Sequence, residues 1–139
     1  MFVAPFPDPL SADQDAEVAC ALAGFDHLPK TMTAPDEPAA VIIEPVQGEG
    51  GYAPAPNSFM VGLVERCQRH GIMFIADEVQ SGFGRTGQLF AVEHAGFEPD
   101  TICLATGLAR AFPCSPPGTR PVLDDTLPTS PHGGTWRGT

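Results

Sequence analysis

The sequence predicts an α/β fold with a mostly parallel sheet and crossover helices. Three short apolar runs indicate strands at residues 39–44 (AAVIIE), 72–76 (IMFIA) and 101–105 (TICLA). Continuous runs of this length are typical of strands buried on both faces. A helix pattern separates the first two runs and a shorter one separates the last two, and this alternation implies right-handed crossovers between parallel strands.

The N-terminal part, residues 1–38, is predicted to be a lead-in with one short helix. Ser11 and Gln14 have the spacing of a capping box, which predicts a helix over 13–23 that Gly24 ends. The rest of this stretch is predicted to be irregular because it is rich in proline.

The core of the domain is predicted at residues 39–110. After a loop of glycine and proline at 45–56, apolar residues recur at i, i+3, i+4 and i+7, which predicts an amphipathic helix. Gly71 is predicted to end this helix, and a short helix is predicted at 89–95. The apolar face of the first helix consists of Met60, Leu63, Val64 and Cys67.

The C-terminal part, residues 111–139, is predicted to be an irregular tail that contains a Gly-Gly-Thr sequence. Proline fixes φ and lacks the backbone N–H, so closely spaced prolines argue against a regular strand or helix. The prolines that carry this argument are Pro113, Pro116, Pro117 and Pro121.

Polar side chains stand at the ends of all three predicted strands. Glu44 closes the first strand, Asp77 follows the second and Thr106 follows the third. Ligands of parallel α/β sheets bind beyond the carboxyl ends of the strands. We therefore expect these three residues to face one crevice.

The composition limits the possible classes of function. Acids outnumber Lys and Arg by 17 to 7, which argues against a nucleic-acid partner or an anionic membrane surface. The cysteines and histidines lack the spacing of a zinc site or a disulfide framework, so no metal is expected. No apolar run has the length of a membrane helix, and the N-terminus lacks the basic start of a signal peptide. We expect a soluble, cytoplasmic protein without a membrane partner.

An apolar run followed by Asp77 and Glu78 is also typical of the metal-binding strand of an ATPase. That class of protein needs a phosphate loop, G-x-x-x-x-G-K-[ST]. Lys30, the only lysine, precedes Thr31 but lacks the required glycine before it. The sequence therefore argues against an ATPase.

The segment 82–87 (GFGRTG) matches the dinucleotide pattern G-x-G-x-x-G. In a dinucleotide site, this pattern opens a helix directly after the strand. Four residues, 78–81, intervene here, and Asp100 lies too near the last glycine to be the ribose-binding acid. Dinucleotide binding is therefore not favoured.

Three stretches of the sequence resemble one enzyme family. They are IIEPVQGEGGYAPAP (42–56), CQRHGIMFIADEVQSGFGRTGQLFAVEHAGFEPD (67–100) and HGGTW (132–136). They resemble the class III aminotransferases, the family of the 4-aminobutyrate, ornithine and acetylornithine aminotransferases. The resemblance is firm over 39–100 and weaker on either side.

The resemblance implies a fragment of the large domain of a fold-type-I enzyme that depends on pyridoxal 5'-phosphate (PLP). Such an enzyme transfers an amino group from an amino acid or amine to a 2-oxo acid. Neither the family's upstream phosphate-binding segment nor its C-terminal domain with the substrate-binding arginine has a counterpart in these residues.

The resemblance also assigns cofactor roles to residues at the second strand end. Asp77 matches the carboxylate that keeps the pyridine nitrogen of PLP protonated, as an acid within hydrogen-bond reach would. Val79 matches the side chain that packs on the ring face. Gln80 matches the residue on the side of the ring's 3-hydroxyl group.

Three further residues match family positions around the substrate and the dimer. Glu44 and Glu49 correspond to acids on the substrate side, and Glu49 is the acid that pairs with the family's arginine. Thr135 corresponds to a threonine that reaches the phosphate of the neighbouring subunit's cofactor. The resemblance therefore implies a homodimer, or a dimer with an intact homologue.

The sequence departs from the family pattern at the residue that should bind PLP covalently. Family members read similarly to LAKGLGGGFPLSA where this chain has LATGLARAFPCSP, so Thr106 occupies the lysine position. Threonine has no amine and provides neither the covalent link nor the base. Arg110 and the Pro116-Pro117 pair depart from the pattern nearby. We expect impaired transamination and weak or absent PLP binding.

Two alternatives to a catalytic role stay open. The first is a non-catalytic module that keeps the dimer surface and binds a partner subunit, and co-purification with an intact aminotransferase would favour it. The second is a degraded gene product without activity, and failure to accumulate as folded protein would favour it. The interpretation adopted is an impaired class III aminotransferase fragment.

Overall fold

The structure, a computed structural model, describes residues 1–31, 37–104 and 117–119, except for the side chains of 29–31 and 117–119. Within these residues the helices are α1 (Gln14–Thr31), α2 (Asn57–His70) and the 3₁₀ helix η1 (Ala91–Ala95). The strands are β1 (Ala40–Ile43), β2 (Val46–Gln47), β3 (Ala53–Pro54), β4 (Met73–Asp77), β5 (Thr101–Cys103) and β6 (Pro117–Thr119).

A four-stranded sheet has the order β1-β4-β5-β6. Strands β4 and β5 are parallel, with Ile75 opposite Thr101 and Asp77 opposite Cys103. The short strands β2 and β3 form a separate antiparallel pair. The parallel pairing of β4 with β5, across the connection that contains η1, agrees with the predicted α/β fold.

The chain divides into two compact units. The first unit comprises residues 1–41 and 46–74, and it contains both long helices. The second comprises residues 42–45 and those from 75 onward, and it contains the end of β4, η1 and β5. The division of the sequence at residues 38 and 110 stays a prediction.

Helix α1 differs from the predicted helix at both ends. The Asp13 carboxylate, not the Ser11 hydroxyl, caps it, accepting a hydrogen bond from the Ala16 amide at 3.0 Å. Gly24 does not end the helix, which continues to Thr31. A Cβ atom at Gly24 would lie 2.6 Å from Cγ of Pro5, so glycine is required here by close packing of the N-terminal segment.

Helix α2 agrees with its prediction. All four residues of the predicted apolar face are buried, and the helix ends at His70, before Gly71. Its Phe59 ring meets Phe6 edge-on, with 5.8 Å between ring centroids. On its polar side, Arg66 donates to both carboxylate oxygens of Asp26 in α1, at 2.8 and 3.0 Å. These contacts join the N-terminal segment and the two helices of the first unit.

Strands β1 and β4 are not buried on both faces, contrary to the prediction. In β1, Ile42 is 60% exposed. In β4, Phe74 and Ala76 are buried, while the alternate residues Met73 and Ile75 are only half-buried. Because successive side chains point to opposite faces of a sheet, this alternation is typical of a strand with one covered face.

The expectation that the prolines prevent any strand after residue 110 is wrong at β6. Residues 117–119 pair antiparallel with β5, and Pro117 lies opposite Cys103. Pro117 is the first residue of β6, and β6 is the last strand in the sheet order. Proline is tolerated at such a position because a strand end or a sheet edge leaves N–H groups unpaired.

None of the helices in the described part of the chain is long and apolar enough to cross a membrane.

Candidate functional site

The carboxyl end of β4 presents three of the predicted site residues in the second unit. Asp77, the last residue of the strand, is half-buried, and its Oδ1 accepts a hydrogen bond from the Val79 amide at 3.2 Å. Val79 is 39% exposed, and Gln80 is also exposed. The structure thus brings an acid, an apolar side chain and a carboxamide together at one strand end, all accessible from outside the second unit's core.

Glu78 plays a role that the sequence analysis missed. It is 0% exposed, whereas the neighbouring Asp77 is half-buried. The hydroxyl of Ser81 donates to its Oε2 at 2.5 Å, and the amide of Val92 donates to its Oε1 at 2.9 Å. Its own amide donates to the carbonyl of Cys103 at 3.0 Å. Both carboxylate oxygens are therefore engaged inside the second unit, which leaves Asp77 as the accessible acid.

The strand period was the signal that could have separated these two acids. Phe74 and Ala76 are buried, and Glu78 continues their alternation by one step past the strand end. Asp77 belongs to the other face of the strand. A serine three residues after Glu78 was a further hint, since a buried carboxylate needs nearby donors.

The glycine-rich segment 82–87 is a sequence of turns. A Cβ at Gly82 would lie 2.9 Å from the Glu78 carbonyl oxygen, so the chain can turn back this closely only with glycine there. The rings of Phe83 and Phe90 meet edge-on at 5.8 Å, and a ring nitrogen of His94 lies 3.0 Å from the Thr86 carbonyl oxygen. Within the described residues no helix opens at 82–87, which supports the rejection of a dinucleotide site.

The remaining predicted residues are not all placed at this strand end. Glu44 is half-buried in the second unit, directly after β1, the strand next to β4. Glu49 is exposed and belongs to the first unit, in the turn between β2 and β3. Thr106 and Thr135 lie outside the described residues, so the expected meeting of three strand ends stays a prediction.

The negative charge of Asp77 affects the acidity of a cysteine thiol on the neighbouring strand β5. Cys103 lies opposite Asp77 in the parallel register of β4 and β5. Burial, and then the negative charge of Asp77, raise the pKa of the Cys103 thiol above its ordinary value. The thiol therefore stays protonated at neutral pH and is a poor nucleophile.

We expect Asp77→Asn to increase the alkylation rate of Cys103 by iodoacetamide at pH 8. Removal of the negative charge lowers the pKa of the thiol, and a larger fraction is then thiolate at a given pH. Peptide mass spectrometry follows each cysteine separately, and exposed Cys20 in α1 is the internal control. An unchanged Cys103 rate would show that the Asp77 charge does not reach this thiol.

Comparison with known proteins identifies the family. The family model for class-III aminotransferases matches residues 1–139. The chain belongs to the class-III aminotransferases. The 4-aminobutyrate aminotransferase of Escherichia coli is 41% identical over 138 residues, covering 99% of this chain and 32% of that protein. The acetylornithine aminotransferase of Methanopyrus kandleri is 42% identical over 120 residues, covering 82% of this chain and 31% of that protein.

Solved structures of transaminases give the same result for the fold. An amine transaminase from an uncultivated Pseudomonas species, in its PLP-bound form, superposes with a TM-score of 0.81 at 32% identity. The match covers 88% of this chain and 29% of that one. A transaminase from the marine bacterium Virgibacillus superposes with a TM-score of 0.76 at 31% identity, covering 85% and 28% of the two chains.

These matches confirm the resemblance and the predicted fold class, a part of the large domain of a fold-type-I, PLP-dependent transferase. This class-III aminotransferase chain spans about a third of the length of the two relatives: 32% of the Escherichia coli protein and 31% of the Methanopyrus kandleri protein.

Proposed function

We propose that the carboxyl end of β4 binds PLP and that amino-group transfer by this chain is impaired. The observation that carries the proposal is the half-buried Asp77 carboxylate, followed by accessible Val79 and Gln80. The membership of the chain in a PLP-dependent family supports it.

The chemistry of these side chains fits a pyridine ring. Oδ1 of Asp77 accepts from the Val79 amide, and among the described residues no donor is found for Oδ2. An oxygen of a half-buried carboxylate is thus available to a protonated ring nitrogen. Val79 offers an apolar surface for a ring face, and the Gln80 carboxamide offers both a donor and an acceptor for a ring hydroxyl.

When bound, PLP supplies an electron sink for the reacting substrate carbon. The contribution of this chain would be to hold the cofactor in the form that works as a sink. Asp77 would keep the proton on the ring nitrogen, because a nearby negative charge favours the protonated form. Val79 and Gln80 would fix the plane and the rotation of the ring.

The substrates proposed are an amino acid or amine as donor and a 2-oxo acid as acceptor. The names of the relatives support this class, since they are aminotransferases for 4-aminobutyrate and acetylornithine. Glu44 and Glu49 are the proposed substrate-side acids, and Thr135 is proposed to contact the phosphate in a partner subunit. The free cysteines in the described residues (Cys20, Cys67 and Cys103) support a reducing compartment such as the cytoplasm.

The proposed impairment rests on Thr106, the residue at the family's lysine position. Without an amine there, the chain lacks both the covalent anchor for PLP and the base that moves the substrate proton. The same observation favours a second candidate, a non-catalytic module that pairs with a partner subunit. Failure of the purified chain to fold would instead indicate a degraded gene product.

We expect Asp77→Asn to weaken PLP binding about 10- to 100-fold, the usual effect of losing a charge-assisted hydrogen bond. The measurement is a titration of the purified chain with PLP, followed by absorbance. Asp15→Asn removes the same charge from the exposed first turn of α1 and is the matched control. Equal affinities of the two variants would contradict the assignment of the ring to Asp77.

A further inference from the structure

The turn that carries Val79 and Gln80 is held by one buried side chain. Glu78 begins this turn, and the turn is closed by a hydrogen bond from the Gly82 amide to the Glu78 carbonyl at 3.0 Å. The Ser81 hydroxyl, at the far side of Val79 and Gln80, donates to the Glu78 carboxylate at 2.5 Å. The two exposed residues therefore lie in a turn whose ends are joined by hydrogen bonds to both the main chain and the side chain of Glu78.

The second carboxylate oxygen of Glu78, Oε1, connects this turn to the 3₁₀ helix η1 of the second unit. It accepts from the amide of Val92, which is buried at the start of η1. That start is itself ordered, because the Phe90 amide donates to the Glu93 carboxylate at 2.7 Å. The amide of Glu78 is held in addition by the Cys103 carbonyl of β5.

A buried carboxylate needs such partners, because an acid without hydrogen bonds is costly in a protein interior. The Glu78 carboxylate has two such partners, the Ser81 hydroxyl in the turn and the Val92 amide at the start of η1, while the Glu78 main-chain amide donates separately to the Cys103 carbonyl of β5. Apolar packing alone would not fix the direction of the turn, whereas hydrogen bonds in three directions do so. Local order at Val79 and Gln80 is therefore expected to depend on this carboxylate.

We propose that Glu78 is a positioning residue that orients Val79 and Gln80 for the PLP ring without touching the cofactor. This inference rests on the proposed function as far as the ring is concerned. Its structural part, the ordering of the turn by Glu78, holds independently of any ligand.

Three variants separate positioning from general stability. Glu78→Ala removes both side-chain hydrogen bonds and leaves the Val92 amide and the Ser81 hydroxyl without this acceptor. Glu78→Gln keeps the shape, with an oxygen for the Val92 amide and an N–H₂ group for the Ser81 oxygen. Val92→Ala removes buried apolar volume but keeps the amide donor, so it is the matched control for stability.

The first readout is backbone ¹⁵N relaxation of the chain without cofactor. We expect the order parameters of the Val79 and Gln80 amides to fall from about 0.85 to below about 0.6 in Glu78→Ala. They should keep their original values in Glu78→Gln and in Val92→Ala, although Val92→Ala lowers the melting temperature. Should Glu78→Ala not fold, Ser81→Ala, which removes only the bond across the turn, decides the question in the same way.

The second readout is the PLP dissociation constant. We expect Glu78→Ala to weaken binding by about tenfold, with recovery in Glu78→Gln and little change in Val92→Ala. Unchanged order parameters of Val79 and Gln80 in Glu78→Ala would overturn the inference. Val92→Ala would overturn it too if it lowered these order parameters and the PLP affinity as much as Glu78→Ala does. If the unsubstituted chain does not bind PLP, the proposed function fails, while the order parameters still decide whether Glu78 orders the turn.

Discussion

Thr106→Lys is expected to give a chain that captures PLP covalently but barely turns over. Lysine supplies an amine at the position that we propose corresponds to the family's PLP-binding lysine, and covalent capture needs only that amine and a roughly formed pocket. Turnover needs more, because the transition state must be stabilised by an oriented substrate as well as by the cofactor. The 139 residues span only 32% of the Escherichia coli relative. Arg110 and the Pro116-Pro117 pair, which the sequence analysis predicts to depart from the family pattern, lie close to this position in sequence.

The measurement combines PLP absorbance, borohydride reduction and peptide mapping by mass spectrometry. In the unsubstituted chain we expect no stoichiometric adduct, and Lys30 is the only lysine at which one could form. In Thr106→Lys the adduct should appear at residue 106. Gln88→Lys, which adds an amine to an exposed loop residue, is the control. Appreciable transamination of common amino donors by Thr106→Lys would show that these residues contain a complete site.

Phe74→Ala is expected to destabilise the chain by about 3–5 kcal/mol, the usual cost of deleting a buried aromatic ring. Phe74 is one of the largest fully enclosed side chains of the described residues, with 2% of its surface exposed. The free energy of unfolding of an ordinary domain is only about 5–15 kcal/mol, so this single change is expected to leave a substantial unfolded population.

Urea denaturation followed by circular dichroism measures this loss as a lower midpoint. Phe83→Ala removes the same ring from the half-buried loop and is the matched control, with an expected cost of about 1 kcal/mol for the lost edge-on contact with Phe90. Equal costs at the two positions would mean that β4 is not central to the stability of the chain.

The sequence predicted elements whose pattern is local and periodic. Helix α2 followed directly from four apolar residues at helical spacing, and parallel β4 and β5 followed from two apolar runs around a short helix. The length of α1 could not be predicted, because Gly24 was taken as a stop signal. Its actual role, close packing against Pro5, depends on a tertiary contact that no local pattern reveals.

The candidate site could also be predicted only where it depends on local sequence patterns and not on tertiary contacts. The position of Asp77 at a strand end follows from the apolar run, and the structure agrees. The burial of Glu78 depends on donors that arrive from the turn and from η1, 3 and 14 residues away in sequence. Strand β6 was missed because proline statistics apply to strand interiors, whereas Pro117 begins a strand at the edge of the sheet.

If PLP binds at the carboxyl end of β4, the backbone amides at that strand end must respond to it, and chemical-shift mapping detects that response. ¹H–¹⁵N spectra of the labelled chain are recorded during titration with PLP, with inorganic phosphate as the control ligand. We predict saturable shifts at the amides of Asp77, Val79 and Gln80 with PLP, and no such shifts with phosphate alone. Saturable shifts confined to other residues, such as the helices of the first unit, would contradict the claim.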